Sequence, residues 1–235
     1  MSVVAVRPLE SPIPTPAPMN IEQARFNMVE QQIRPWNVLD QRVLDLLLST
    51  PREHYVPAEY RQLAFTDTRI PLSHNETMMT PKVEGRLMQA LDVQRGDEAL
   101  EIGTGSGYVT ALLANSCRHV VSVEINPEFS AAAGRTLSEA GVGNVTLVVG
   151  DGVEGWDDTA PYDVIAVTGS VCTLPDSLKR SLRVGGRLFA IVGESPVMQA
   201  VLVTRRSENE WSEEDLFETS LASLKGAEPP AKFEL

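Results

Sequence analysis

The run Ala99-Leu100-Glu101-Ile102-Gly103-Thr104-Gly105-Ser106-Gly107-Tyr108 carries the residues best suited to chemistry. A short apolar stretch meets an acid, turns on three alternate glycines and enters an apolar helical segment. Glycine accepts positive φ and lets a ligand approach without a Cβ in the way. The following helix start offers unpaired N–H groups and a positive dipole end. Two further acids recur downstream: Glu124 ends a second apolar run, and Asp151 sits in Gly150-Asp151-Gly152. Together these residues outline a nucleotide-type site.

Three ligand classes compete for such a turn. A triphosphate-binding loop needs Gly-Lys-Ser/Thr, and no lysine is near. A dinucleotide fingerprint needs its third glycine where Tyr108 stands. Glu101 beside the turn would repel a pyrophosphate, whereas it would pair with the ammonium of an amino-acid moiety. S-adenosyl-L-methionine has that ammonium and is the cofactor these residues favour. Glu124, about twenty residues on, is placed to accept both ribose hydroxyls. Asp151 is placed to accept the adenine amino group, and Gly152 lets the ring approach.

The elements that must position these acids follow from the pattern. Val- and Ile-rich runs predict strands at 98–102, 119–124, 145–149, 162–168 and 186–192, with helices starting near Ser106, at Asn126-Pro127 and near Leu174. Repeated βα units of this kind imply an α/β fold, a doubly wound and mostly parallel sheet with helices on both faces. Segments 197–205 and 215–224, joined by a polar loop at Glu208-Asn209-Glu210, read as an antiparallel hairpin and bring the sheet to seven strands. All three acids then lie at carboxyl ends of adjacent strands, the face on which open α/β sheets bind ligands. Before the sheet, Asn20 and Asp40 open two helices, and Thr80 caps a third with Pro81 at its first position. These form an N-terminal helical cover. Residues 51–80 between them have little periodicity, and an irregular stretch this long in a compact domain is usually functional or disordered.

The 235 residues suit one domain over 19–235, with 19–95 as cover and 96–235 as cofactor core and hairpin. Residues 1–18, with five prolines, read as a flexible leader. A formal charge of −12 argues against a nucleic-acid partner, which needs clustered Lys and Arg. No apolar run reaches membrane-spanning length and no signal segment opens the chain, so the expected location is the cytoplasm. Cys117 and Cys172 have no metal-ligand spacing and read as reduced structural thiols; His54, His74 and His119 are too scattered for a metal site.

These motifs together resemble a class I methyltransferase with a Rossmann-like sheet, and more narrowly the protein-L-isoaspartate O-methyltransferase family. The resemblance covers about residues 20 to 205. It is carried by Arg52-Glu53-His54-Tyr55-Val56-Pro57, Ala64-Phe65-Thr66-Asp67, Ile70-Pro71-Leu72, His74, Thr77 and the glycine turn. It continues through Val123-Glu124, Asn144-Val145, Gly150-Asp151-Gly152, Pro161-Tyr162-Asp163 and Gly185-Gly186-Arg187-Leu188. The resemblance implies methyl transfer to the carboxylate of isoaspartyl residues in damaged proteins, the first step of their repair. The expected cofactor-contacting set is Met78, Glu101, Gly103, Thr104, Gly105, Ser106, Gly107, Tyr108, Glu124, Ile125, Asp151, Gly152, Thr168 and Gln199. Thr77, Met79 and Thr80 are the expected residues on the acceptor side.

Two departures from the family pattern fall on that acceptor side. The family has T-I-S-Q-P, whose serine helps hold the substrate carboxylate; here Thr77-Met78-Met79-Thr80-Pro81 puts Met79 in its place, and a thioether donates no hydrogen bond. The family's F-V-P-L segment corresponds only loosely to Leu221-Ala222-Ser223-Leu224. Three readings follow. Thr77 or Thr80, with backbone N–H groups, replaces the lost donor; or a methyltransferase of the same fold uses another acceptor; or the chain binds its cofactor without catalysis.

Overall fold

In a computed structural model, residues 19–227 are described, and the expected leader at 1–18 lies outside them. Helix α1 (Ile21–Met28) starts where the Asn20 side chain accepts from the Gln23 N–H at 3.1 Å. It widens into a π-turn over Val29–Ile33 and tightens to a 3-10 turn at Arg34–Trp36, ending near the expected Arg34-Pro35. Helix α2 (Gln41–Ser49) is capped by Asp40, and α3 spans Pro81–Leu91. Thr80 holds the cap position of α3 in extended geometry, yet its hydroxyl makes no capping bond. The irregular stretch between α2 and α3 contains a two-stranded ribbon, β1 (Ile70–Pro71) against β2 (Thr77–Met78).

The alternating region follows with β3 (Glu98–Ile102), α4 (Tyr108–Ala114), β4 (His119–Glu124), α5 (Pro127–Glu139), β5 (Val145–Val149), β6 (Tyr162–Val171), α6 (Asp176–Arg180) and β7 (Leu182–Glu194). A hairpin of β8 (Val197–Ser207) and β9 (Glu210–Thr219) closes the order β5-β4-β3-β6-β7-β8-β9. Strands β3 to β7 pair in parallel, and β8 and β9 are antiparallel, as expected for a mostly parallel seven-stranded sheet. The hairpin's second strand begins at Glu210 rather than 215. Its first half, Glu210-Trp211-Ser212-Glu213-Glu214, is acidic because β9 is an exposed edge, where charge deters pairing with another chain.

Alternation along the strands divides the core in two. Ala99 joins Val120, Val164, Ala166 and Phe189 under α1 to α5, while Leu100 and Ile102 join Val121, Val123, Ile165 and Val167 on the other face. That second face is thinner and is closed by α6 through Leu178 and by Trp156. Because the chain runs outward from β3 to β5 and then restarts at β6 on β3's other side, the sheet has its switch point between β3 and β6. A crevice at the carboxyl ends of these strands is the geometric result.

Candidate active site

The crevice is a groove of about 760 Å³ at that switch point. Gly103 and Gly105 from the turn, Glu124 after β4, Asp151 and Gly152 after β5, and Thr168 on β6 all line it. At Gly103, φ is +98° and a Cβ would lie 2.5 Å from Thr168 Oγ1, so only glycine passes between the turn and β6. Thr168 Oγ1 lies 2.8 Å from the Ile102 carbonyl and 2.5 Å from that of Gly103, which ties the turn to its neighbour strand. Gly107 acts differently: a Cβ there would meet Ala133 at 3.1 Å, so it sets the approach of α4 to α5 rather than facing the groove.

Glu101 lies beneath the turn and is fully buried. Its side chain points to the α4 face, as Ala99 two residues earlier requires. One carboxylate oxygen accepts from Thr110 Oγ1 at 2.5 Å and from Ser122 Oγ at 2.6 Å. Thr104 Oγ1, 2.5 Å from Ser122 Oγ, extends this buried hydroxyl network. The other oxygen, Oε1, has no hydrogen-bond partner. Burial pushes the Glu101 carboxyl up to about 8, helped by the nearby Glu124 charge and opposed by the two hydroxyls. An acid so placed keeps its proton in the free protein and ionises when a cation comes beside it.

A second, inner pocket of about 340 Å³ connects with the groove through Leu72, Thr77, Gly103, Gly105 and Thr168. Glu101, Thr104, Ser106, Tyr108, Met78 and Met79 complete most of its wall. Thus the glycine turn and the segment from Thr77 to Met79, separate in sequence, face each other. Thr77 Oγ1 and Thr80 Oγ1 are both buried without partners. Met79 is 5% exposed, and its carbonyl accepts from Arg52 Nη2 at 2.8 Å.

Glu124 is engaged already: Oε2 accepts from the Gly105 N–H and Oε1 from the Asn126 N–H, each at 2.9 Å. Each oxygen retains a lone pair for a ligand hydroxyl. Asp151 Oδ1 accepts from the Val153 N–H at 3.0 Å, and its side chain is exposed at the groove mouth, where Ile125 is also exposed. Gly152 lies against Ile102 and Val123, where a Cβ would come within 2.8 Å of Ile102 Cδ1. The Leu221–Lys225 segment covers the opposite wall: the Ser170 N–H donates to the Ala222 carbonyl, and Leu224 packs over Gly103 and Gly169.

Three expected residues stand outside this arrangement: Gly107, which packs on α5 as described, Gln199 and Thr80. Gln199 is in β8, opposite Val192 and Glu218, and lines neither the groove nor the inner pocket. Thr80 lines an outer cleft beyond Met79 instead of the inner pocket. Sequence reasoning in turn missed Ser122, Thr110 and the buried pair Arg52–Glu84, whose atoms are 2.8 Å apart. A serine inside the valine run of β4, in register with Glu101, was the available signal for the first of these.

Comparison with known proteins agrees across the chain. The family model described as Protein-L-isoaspartate(D-aspartate) O-methyltransferase matches residues 23–228. A protein-L-isoaspartate O-methyltransferase of Rhodopseudomonas palustris is 39% identical over 202 residues, covering 86% of this chain and 93% of that protein. Protein-L-isoaspartate O-methyltransferase 2 of Pelobacter propionicus is 36% identical over 218 residues, covering 92% and 97%. A solved structure titled protein-L-isoaspartate O-methyltransferase matches with a TM-score of 0.72 at 26% identity; it covers 85% of this chain, which spans 65% of that longer one.

Proposed function

This chain belongs to the protein-L-isoaspartate(D-aspartate) O-methyltransferase family, and on that premise we propose that it methylates isoaspartyl carboxylates in damaged proteins, using S-adenosyl-L-methionine, as the first step of repair. The observation that carries the cofactor assignment is the unpartnered Oε1 of Glu101, buried beside the glycine turn and facing the inner pocket. An ammonium there satisfies an atom that is otherwise costly to bury. When bound, the cofactor supplies a methyl group activated by a sulfonium. Glu101 holds its amino-acid end, Glu124 its ribose hydroxyls and Asp151 its adenine, while Gly105 leaves space at the turn and Gly103 and Gly152 let the backbone pack closely on Thr168 and on Ile102 and Val123. No described helix is long and apolar enough to cross a membrane, and the setting we propose is the cytoplasm.

The acceptor makes modest chemical demands. A carboxylate is already an ionised nucleophile at neutral pH, so in-line positioning and exclusion of water suffice without a general base. The Thr77 hydroxyl, buried without a partner in the wall of the inner pocket, is the donor for that carboxylate, and buried Met79 and Leu221 keep water out. Incubation with radiolabelled S-adenosyl-L-methionine and an isoaspartyl peptide, beside its aspartyl twin, tests the assignment. Label on the isoaspartyl peptide alone is expected. Label on neither, with cofactor binding intact by calorimetry, overturns it and favours another acceptor.

Two substitutions sharpen the roles. Met79→Ser restores a hydroxyl between Thr77 and Thr80, and isoaspartyl turnover is expected to rise by up to about tenfold, the worth of one hydrogen bond of ~1 kcal/mol or slightly more. An unchanged rate would place the donor function elsewhere. Glu124→Ala removes the acceptor of the ribose hydroxyls; the dissociation constant for cofactor should weaken about 10- to 100-fold by calorimetry, as charged hydrogen bonds of ~1.5–3 kcal/mol require. An unchanged constant sinks the ribose assignment.

A further inference from the structure

Beyond Met79 a cleft of about 550 Å³ opens to solvent. Met79 lines both this cleft and the inner pocket, and Leu221 lines both the cleft and the groove. Two buried apolar side chains therefore separate the cleft from the proposed point of methyl transfer. Val83 and Ile191 add apolar surface to its wall.

Its charge is set by Asp67, Arg69 and Lys82. Lys82 Nζ lies 2.6 Å from Asp67 Oδ2 and 4.0 Å over the Trp36 ring, so the lysine and the acid satisfy each other. The exposed Arg69 has neither an ion pair nor a hydrogen bond among the described residues. Two cations against one acid give the cleft a positive balance in a chain whose formal charge is −12. A second observation is independent of charge: Thr80 Oγ1, in the same wall, is a buried hydroxyl with no partner. A guanidinium with its donors free and an unsatisfied hydroxyl in one cleft suit a ligand rich in carboxylate and carbonyl oxygen.

We propose that this cleft receives the acceptor chain next to the isoaspartyl residue, and that Arg69 selects an acidic side chain there. The inference rests on the isoaspartyl reading and adds a specificity determinant to it. In so acidic a protein, an acid-rich acceptor is repelled by most of the surface, and a cation beside the transfer point offsets that locally. Flexible, exposed segments rich in acidic residues become the favoured targets.

Three isoaspartyl peptides that differ only in carrying Glu, Gln or Lys at the neighbouring positions test this. The KM for the Glu peptide is expected to be roughly fivefold below that for the Gln peptide, the range of a partly exposed ion pair, with the Lys peptide weakest. The preference should shrink as salt is raised. In Arg69→Gln the Glu-to-Gln ratio of KM rises to about one, and Arg69→Lys retains part of the preference. Because each ratio is taken within one variant, a change in folding or overall rate does not move it. Equal KM values in the unmodified protein, or an unchanged ratio in Arg69→Gln, overturn the role of Arg69. Fluorescence anisotropy of the same peptides, labelled, reads the preference without turnover. An acid preference that persists there while no peptide is methylated overturns the isoaspartyl reading and leaves the anion-binding cleft standing.

Discussion

Replacing Arg52 with methionine lowers the unfolding free energy by about 3 to 5 kcal/mol, the cost of stranding one partner of a buried ion pair. The guanidinium is wholly buried. Its Nε donates to Glu84 Oε2 at 2.8 Å and its Nη2 to Glu84 Oε1 at 3.2 Å; Nη1 donates to the Ala64 carbonyl and Nη2 also to the Met79 carbonyl, each at 2.8 Å. The plane lies 5.6 Å from the Tyr108 ring centroid. One side chain thus fastens the irregular stretch, the acceptor-side strand and α3 to each other. Burial pushes the Glu84 carboxyl up, and the Arg52 charge and hydrogen bonds oppose that rise. Without Arg52, Glu84 must be buried unpaired or take up a proton, and two carbonyls lose their donor. Methionine fills most of the volume, so the loss is electrostatic rather than a cavity. Urea denaturation of the single variant and of Arg52→Met/Glu84→Leu separates the causes. The double variant should recover much of the deficit, since an apolar pair of similar volume often replaces a buried ion pair at no cost. A single variant within ~1 kcal/mol of the parent would show that the clamp does not hold this region. Turnover should remain low in the double variant despite its stability, because the Met79 carbonyl stays unanchored.

The ease with which the sequence discloses its parts follows their physics. Strands β3, β4 and β5 fall on the residues expected: β4 and β5 repeat Val as strands of a parallel sheet do, and β3 is marked by Ala99-Leu100 and Ile102 running into the glycine turn. Edge strand β9 escapes that rule: half its residues face water and its first half is acidic, so its pattern resembles a loop. The glycine turn, Glu101 and Glu124 are legible because their constraint is local, a tight turn and two strand ends. The Arg52–Glu84 clamp is not, since it joins residues 32 apart across two elements. A hint exists in α3, where Glu84 shares the buried face with Val83, Leu87 and Met88. An acid on an apolar helix face must find a cation, but the helix does not say which one. Gln199 fails for the opposite reason. A match in chain order placed it near the site mouth, yet the order of strands puts β6 and β7 between β8 and the turn.

Changing Glu101 to glutamine should move stability and cofactor affinity in opposite directions. In the free protein, burial holds the carboxyl at about 8, far above its ordinary value of 4.5. The folded state therefore keeps a proton that the unfolded state releases as pH rises from about 4.5 to 8. Stability falls across that window, because unfolding is favoured wherever the unfolded state binds fewer protons. The penalty from this one group is of order 3 kcal/mol at pH 7, at about 1.4 kcal/mol for each pH unit above the ordinary value. Glutamine has nearly the same shape and never ionises, so the variant should be more stable by ~1–3 kcal/mol at pH 7 to 8 and no different near pH 4. Its cofactor affinity should fall about 100-fold at pH 8, where an ion pair with the ammonium becomes a neutral contact. In the unmodified protein binding needs an ionised Glu101 and a charged α-amino group, whose ordinary value is about 7.7–8.0. Affinity should therefore rise nearly tenfold per pH unit between 6 and 7, peak close to 8 and decline above it. Glu101→Gln should lose the acidic limb of that profile and keep the alkaline one. Calorimetric titrations from pH 6 to 9, with urea denaturation over the same range, test both halves. A variant that is destabilised, or that keeps the full acidic limb, would show that Glu101 is not the cofactor's counter-ion.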